Sequence, residues 1–387
     1  MKPTKHISLL VAFALSVLLF SCNEDETGTP VINYIRVTNP VASDSLLVAA
    51  GQGQMIAIMG DNLQNTKEVW FNDLKALVLP TFVTKTNIIL RVPSQIPNEI
   101  TNTLKLVFYN GESLLYDFTV DISEPVINRM KSEYVVAGGE AIFYGNYFYA
   151  PLTVTFGGGV EGEIISVTDQ ELHVRIPAGV QPGPVTIASN FGEAESNFWF
   201  MDNRNLIMDF DIPLSGSGDL WHPSGGPSAI LASHPDFPNI SGGFLRSRLD
   251  YGAWGWAEML TGVATAPELA NMKNIPEEAL LNPTSYSLKF EINTHAPLTG
   301  AAFNIYIGNN VGGANRGYNG DGYTWLPNFN TEGAWETITI PWQTFYEANR
   351  FPYSETGYGI SIVVQGPNAA TLNYAIDNMR VVPNTND

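Results

Sequence analysis

The stretch YGAWGWAE, residues 251–258, sets Trp254, Trp256 and Glu258 at every second position among residues with small side chains. On extended backbone, side chains alternate, so Gly252, Trp254, Trp256 and Glu258 share one face and Tyr251, Ala253, Gly255 and Ala257 share the other. Two indoles would then stand about 7 Å apart beside a carboxylate, with little to shield them. Flat aromatic rings of this kind stack on the C–H faces of pyranose rings, while carboxylates and amides exchange hydrogen bonds with sugar hydroxyls. The competing expectation is that one or both indoles fill a sandwich core.

A second cluster lies in GNNVGGANRGYNGDGYTWLP, residues 308–327. Asn315 and Arg316, with Asn309, Asn310, Asn319 and Asp321, offer donors and acceptors on a glycine-rich loop, and Tyr323 and Trp325 share parity at its end. Loops carry binding groups more often than strands do. Trp221, in the turn-rich GDLWHPSGG, joins the same set of candidates. Trp335 and Trp342 bracket ETITIP and are expected to be structural, with Trp342 on the face of Ile338 and Ile340 and Trp335 on the opposite one.

Catalytic signatures are missing from the sequence. It has no HExxH, no nucleophile elbow, no P-loop and no cysteine besides Cys22. Glu277 and Glu278 are adjacent, so on a helix they diverge by about 100° and cannot flank one scissile bond. The net charge of −19 also argues against nucleic acid, because phosphate neutralisation needs clusters of Lys and Arg. These features point to a non-enzymatic protein with a neutral partner.

The elements that must position these residues are mostly strands. Abundant Gly (35) and Pro (25) favour short strands joined by turns. MIAIMGDNL (55–63), EVWFNDLKALVL (68–79), NIILRVP (87–93) and TLKLVFYN (103–110) are short apolar or alternating runs. A repeat follows: GDNL at 60–63 aligns with GNYF at 145–148, VWFND at 69–73 with VTFGG at 154–158, and NIILRVP with ELHVRIP at 171–177. Gly60 to Gly145, Phe71 to Phe156 and Pro93 to Pro177 keep a spacing of 84 or 85 residues, and the copies open on PVINYI at Pro30 and PVINRM at Pro125. The expectation is that Gly60 and Gly145 open turns after a strand, and that Pro93 and Pro177 close edge strands.

Beyond residue 205 the repeat stops, and six of the eight tryptophans lie between 221 and 342. Strands are expected at 286–294, 301–308, 335–342, 358–366 and 373–382, with one helical patch at 266–283 bracketed by Pro267 and Pro283. Asp377 could hold a structural calcium together with Asp209 or Asp211.

At the front, Lys2 and Lys5 precede an apolar run from Ile7 to Phe20, which at roughly fourteen residues is too short to span a bilayer. Leu18, Leu19, Phe20 and Ser21 then lead into Cys22, a pattern that resembles a bacterial lipobox. Two or more acyl chains at Cys22 would give a stable anchor, since each buried methylene contributes about 0.8 kcal/mol. The NEDE that follows, Asn23–Glu26, resembles the acidic surface-export signal of Bacteroidetes lipoproteins.

The repeat resembles the IPT/TIG family of immunoglobulin-like domains. The expected architecture is all-β: a lipoprotein signal peptide at 1–22, a tether at 23–30, IPT/TIG sandwiches at 31–122 and 125–201, and a jelly-roll-like carbohydrate-binding β-sandwich at 205–387. Together these parts resemble a surface glycan-binding lipoprotein of a Bacteroidetes polysaccharide-utilisation locus, of the xyloglucan or β-glucan-binding type. That resemblance implies an outer-membrane, lipid-anchored protein facing the exterior. It would hold a neutral polysaccharide by ring stacking on Trp254, Trp256 and Trp325, near a TonB-dependent importer and its partner glycan-binding lipoprotein, with no cofactor required. Two other readings remain open, a glycoside hydrolase or lyase on the same sandwich and a protein-binding adhesin.

Overall fold

The computed structural model describes residues 28–42, 44–211, 228–264, 274–308, 322–355 and 357–386. The signal segment, Cys22 and most of the tether lie outside the described residues. The chain is built almost entirely from antiparallel β-sheet and divides into two compact units, Met1–Ser123 and Glu124–Asp387.

In the first unit, one sheet pairs Val31–Val37 with Met55–Asp61 and that strand with Asn87–Arg91. A second sheet runs Leu74–Lys75, Thr66–Phe71, Thr103–Phe108, Ser113–Asp117. Alternation along these strands sends Ile35, Ile58, Val69, Phe71, Ile88, Leu104 and Leu106 into one shared core.

The second unit begins with a related sandwich. Its sheets are Val126–Met130, Glu140–Asn146, Glu171–Arg175, Glu163–Val167 and Val160–Glu161, Leu152–Phe156, Gly183–Ser189, Gly192–Phe200. Phe143, Phe156, Val174, Ile187 and Phe200 fill the space between them.

Superposing the logic of the two copies explains the repeated glycines. Gly60 and Gly145 do not open turns; both lie within strands, Met55–Asp61 and Glu140–Asn146. A Cβ at Gly60 would sit 2.0 Å from the Val31 carbonyl oxygen, and one at Gly145 would sit 2.0 Å from that of Val126. The first strand of each copy carries a bulge beside this contact, between Ile32 and Tyr34 and between Ile127 and Arg129. The glycine is thus a requirement of close backbone approach. The strand before Pro93 is an edge, as expected, whereas Glu171–Arg175 before Pro177 is flanked on both sides, because Glu163–Val167 extends that sheet.

The C-terminal sandwich sets a large sheet of Ser228–Leu231, Phe244–Tyr251, Ala370–Pro383, Tyr286–Thr294 and Trp335–Pro341 against a four-stranded one of Ala257–Ala264, Gly359–Val364, Phe303–Gly308 and Tyr323–Trp325. Leu206–Met208 adds to the large sheet alongside Ala370–Pro383. Phe290, Ile292, Phe303, Ile305, Ile362, Tyr374 and Ile376 interdigitate between the sheets. In the described part of the expected helical patch, residues 274–283, a helix runs over Glu277–Leu281, entered from Pro276 and stopped before Pro283; residues 265–273 are outside the described set. Trp342 does not continue its strand. It starts a helix, Trp342–Ala348, and its fully buried indole stacks on Phe345 and donates from Nε1 to the Ala279 carbonyl oxygen at 2.9 Å. The proline at 341 ends the strand and sets up the helix entry. Trp335 is structural as expected, 6% exposed, edge-on to Phe244 and donating to the Pro238 carbonyl oxygen at 2.6 Å.

Two outcomes follow for the second immunoglobulin-like sandwich. Gly145→Ala must push the Val126 carbonyl away, and a loss of about 1–3 kcal/mol in unfolding free energy is expected by denaturant titration. His173 is held between Glu140 at Nδ1 and Glu171 at Nε2, and the bond to Glu140, with the second from Glu171, raises its pKa above the ordinary 6.5 against the opposing effect of burial. A raised histidine pKa gives stability that is complete below about 6.5 and disappears as pH climbs through the folded-state value. The difference in unfolding temperature between the parent and His173→Gln should therefore shrink as pH is raised from 6 to 9.

Candidate functional site

Between the two sheets of the C-terminal sandwich the chain turns at residues 252–256, and this turn holds the two indoles. The strand Phe244–Tyr251 stops before it and Ala257–Ala264 starts after it. The extended arrangement expected for 252–258 is therefore replaced by a tight reversal. Gly255 N–H donates to the Gly252 carbonyl oxygen at 2.8 Å, and Trp254 N–H donates to the Gly366 carbonyl oxygen at 2.8 Å. Trp254 takes a left-handed conformation, with φ of 58°. For a bulky residue this is a strained choice, costing on the order of 1–2 kcal/mol.

The strain is met by close packing around the turn. A Cβ at Gly255 would come within 2.9 Å of the Gly252 carbonyl oxygen, and one at Gly366 within 2.8 Å of the Gly300 carbonyl oxygen. Small residues at these points let two loops meet, and the turn is pinned from below by Tyr251, which is buried at the end of its strand. Nothing in the sequence of 251–258 announces this, because the partner glycines at 300 and 366 come from distant segments.

The indoles themselves face solvent. Trp254 is 68% exposed and Trp256 is 53% exposed. Such exposure for two neighbouring tryptophans is uncommon. Trp256 Nε1 donates to Glu258 Oε1 at 3.2 Å, which ties one indole to the carboxylate expected beside it. Glu258 is half-buried at the second position of the strand Ala257–Ala264, across from Val363.

Other candidates fall elsewhere. Trp325 is not a free platform: its ring packs against Phe290, Phe303 and Phe329 and closes the end of the sandwich core. Tyr323 likewise leans on Phe345, and burial raises the pKa of its hydroxyl. Both occupy inward positions of Tyr323–Trp325, opposite Ile305 and Phe303, so the parity they share is that of the core face. Trp221, Asn315 and Arg316 lie outside the described residues.

The three acids considered for calcium are each engaged separately. Asp377 is buried and accepts from Ser241 Oγ at 2.7 Å and from Asn378 N–H at 2.8 Å. Asp211 accepts from Gly243 N–H, and Asp209 from Asp211 N–H. Burial pushes the carboxyls of Asp377 and Asp209 above the usual carboxylate range, which disfavours the charged form. Among the described residues no three His, Cys, Asp or Glu side chains gather to hold a metal ion.

Residues 200–383 match the model of the surface glycan-binding protein B xyloglucan-binding domain. An IPT/TIG domain-containing protein of Bacteroides ovatus is 33% identical over 150 residues, which is 37% of this chain and 30% of that protein; the chain thus aligns with under a third of this relative. Among solved structures, surface glycan-binding protein PbSGBP-B from Prevotella bryantii superposes with a TM-score of 0.66 at 24% identity, covering 92% of this chain and 99% of that one, a likeness of fold. SGBP-B from a complex xyloglucan utilization locus in Bacteroides uniformis gives a TM-score of 0.48 at 17% identity over 92% of this chain and 100% of its own.

The left-handed backbone at Trp254 has a measurable consequence. Trp254→Gly and Trp254→Ala both remove the indole, but only glycine accepts this φ without strain. The glycine variant should be more stable than the alanine variant by about 1 kcal/mol in denaturant titration.

Proposed function

We propose that the chain, whose residues 200–383 match the model of the surface glycan-binding protein B xyloglucan-binding domain, is a surface lipoprotein that binds a neutral plant β-glucan, such as xyloglucan or mixed-linkage glucan. The observation that carries this reading is the pair of exposed indoles on a rigid turn of that domain. Trp254 and Trp256 offer two ring faces for stacking, and Glu258 offers an acceptor beside them for sugar hydroxyls. Preorganisation of the turn lowers the entropy lost when a flexible polysaccharide docks. The strain kept at Trp254 fits a position selected for presenting its ring.

Cys22 is proposed as the acylated anchor, and the acids of Asn23–Glu26 as its export address. The bound chain would be passed to a TonB-dependent outer-membrane importer together with a partner glycan-binding lipoprotein. Adhesion without turnover is the proposed mode, supported by the glycan-binding relatives and by the lack of a catalytic motif in the sequence.

Affinity electrophoresis and calorimetry of the full chain on xyloglucan, mixed-linkage glucan, mannan and α-glucan test this. Retention by a β-glucan with no release of reducing ends is expected. Trp254→Ala and Trp256→Ala should each weaken binding at least tenfold or so, since a few aromatic anchors dominate sites of this kind. Unchanged binding in both variants, with folding intact, would remove the site.

A further inference from the structure

The large sheet of the C-terminal sandwich has a second buried face. In Tyr286–Thr294, Leu288, Phe290 and Ile292 point into the sandwich core, so Ser287, Lys289, Glu291 and Asn293 point away from it. All four outward residues are nonetheless buried, as is Arg380 on the neighbouring strand. The covering body is the sandwich of residues 125–201.

Its entry is Glu133, itself buried. Glu133 Oε1 accepts from Lys289 Nζ at 2.6 Å, and Oε2 accepts from Arg380 at 2.6 Å. Arg380 also donates to both oxygens of Glu291, at 2.8 and 3.0 Å, and to the Asn378 carbonyl oxygen. Thr337 joins the two sides: its Oγ1 accepts from Glu133 N–H at 2.7 Å and donates to Glu291 at 2.9 Å, and its own N–H donates to the Lys131 carbonyl oxygen. Beside this neutral set of two acids and two bases lies an apolar cluster in which Tyr134 of the first body meets Phe237, Phe244 and Trp335 of the second. The tail closes the contact, where Asn386 Nδ2 donates to Glu195 and to the Ser196 carbonyl oxygen.

We infer that this outward sheet face is a permanent docking surface for the chain's own second immunoglobulin-like sandwich, keyed by Glu133, and that the two sandwiches open and unfold as one cooperative unit. The partner that fits is a carboxylate on a hydrophobic rim. A solvated strand face would leave Arg380 and Lys289 free to point into water; here Arg380 has no exposure and depends on acids contributed from both bodies. The second sandwich is therefore part of the binding module and no free spacer. Its cover also removes the part of this face around Lys289, Glu291 and Arg380 from any role in glycan contact.

Hydrogen exchange of the full chain read by mass spectrometry tests the inference without reference to any glycan. In the parent, the most protected amides of 126–200 and of 286–383 should exchange through one common opening, with equal protection. Glu133→Gln should lower protection in both segments by the same factor and leave 31–121 unchanged, with the shared unfolding transition falling by roughly 10 °C. Thr337→Val, which keeps every charge, should act in the same direction to a smaller degree. Unequal protection of the two segments in the parent, or a loss confined to one of them in the variants, would overturn it.

Discussion

Glu133 sits between a lysine and an arginine that belong to another sheet, and much of the second unit is organised around that contact. Removing four charged groups from water is expensive, at several kcal/mol per ion even after relaxation. The cost shows in Glu291, whose carboxyl is pushed up by burial despite the opposing pull of Arg380. Burial also works against the charge of Arg380, yet Glu291 and Glu133 outweigh it and hold its pKa well above the ordinary guanidinium value. A pair of this kind contributes less to net stability than to uniqueness. A carboxylate fits between these two cations in one register, and a slipped docking would strand Glu133 and Lys289 and leave Arg380 with Glu291 alone.

The same contact explains why the central strands differ from those of the two immunoglobulin-like sandwiches. In the latter, burial alternates along the strand and the outer face meets solvent, as in the pattern of Thr103–Phe108. In Tyr286–Thr294 every residue after the first is buried. The alternation of side-chain type survives in YSLKFEINT, but it separates an oily interface from a polar one. Some of the polar groups there find partners from elsewhere in the fold: Asn293 Nδ2 donates to the Gly333 carbonyl oxygen, and Ser287 Oγ to Asn384 Oδ1.

This bears on what could be read from residues alone. The repeat, the strand content and the change of character after residue 205 were legible, because each leaves a local pattern of period two or a fixed offset. The role of Gly60 and Gly145 was legible as a constraint but not as a mechanism, since the clash each avoids is with a carbonyl some 20 to 30 residues earlier. Trp254 and Trp256 stand out by type and spacing, while their true geometry depends on Gly366 meeting the turn from another segment, itself packed on Gly300. Trp325 and Tyr323 shared the expected parity, yet parity cannot say which face is the core. Glu133, Lys289 and Arg380 carried no signal, as isolated charges in strands are ordinary on solvated faces.

The two special features of the second unit place opposite demands on the chain. At the junction, charge is buried so that two bodies meet in one way; at the turn, apolar surface is left bare and backbone strain is kept. Both cost stability, and both are affordable only because a large core lies between them. The strand pair Phe244–Tyr251 and Ala370–Pro383 spans that core. At one end, Ala370 pairs with Tyr251, directly before the indole-bearing turn; at the other, Arg380 reaches Glu133. A single rigid strand therefore runs from the docking contact to the proposed glycan platform. Any force a tethered polysaccharide exerts on Trp254 and Trp256 would be carried along hydrogen-bonded sheet into the second immunoglobulin-like sandwich, where a hinge at residue 205 would instead let the platform swing.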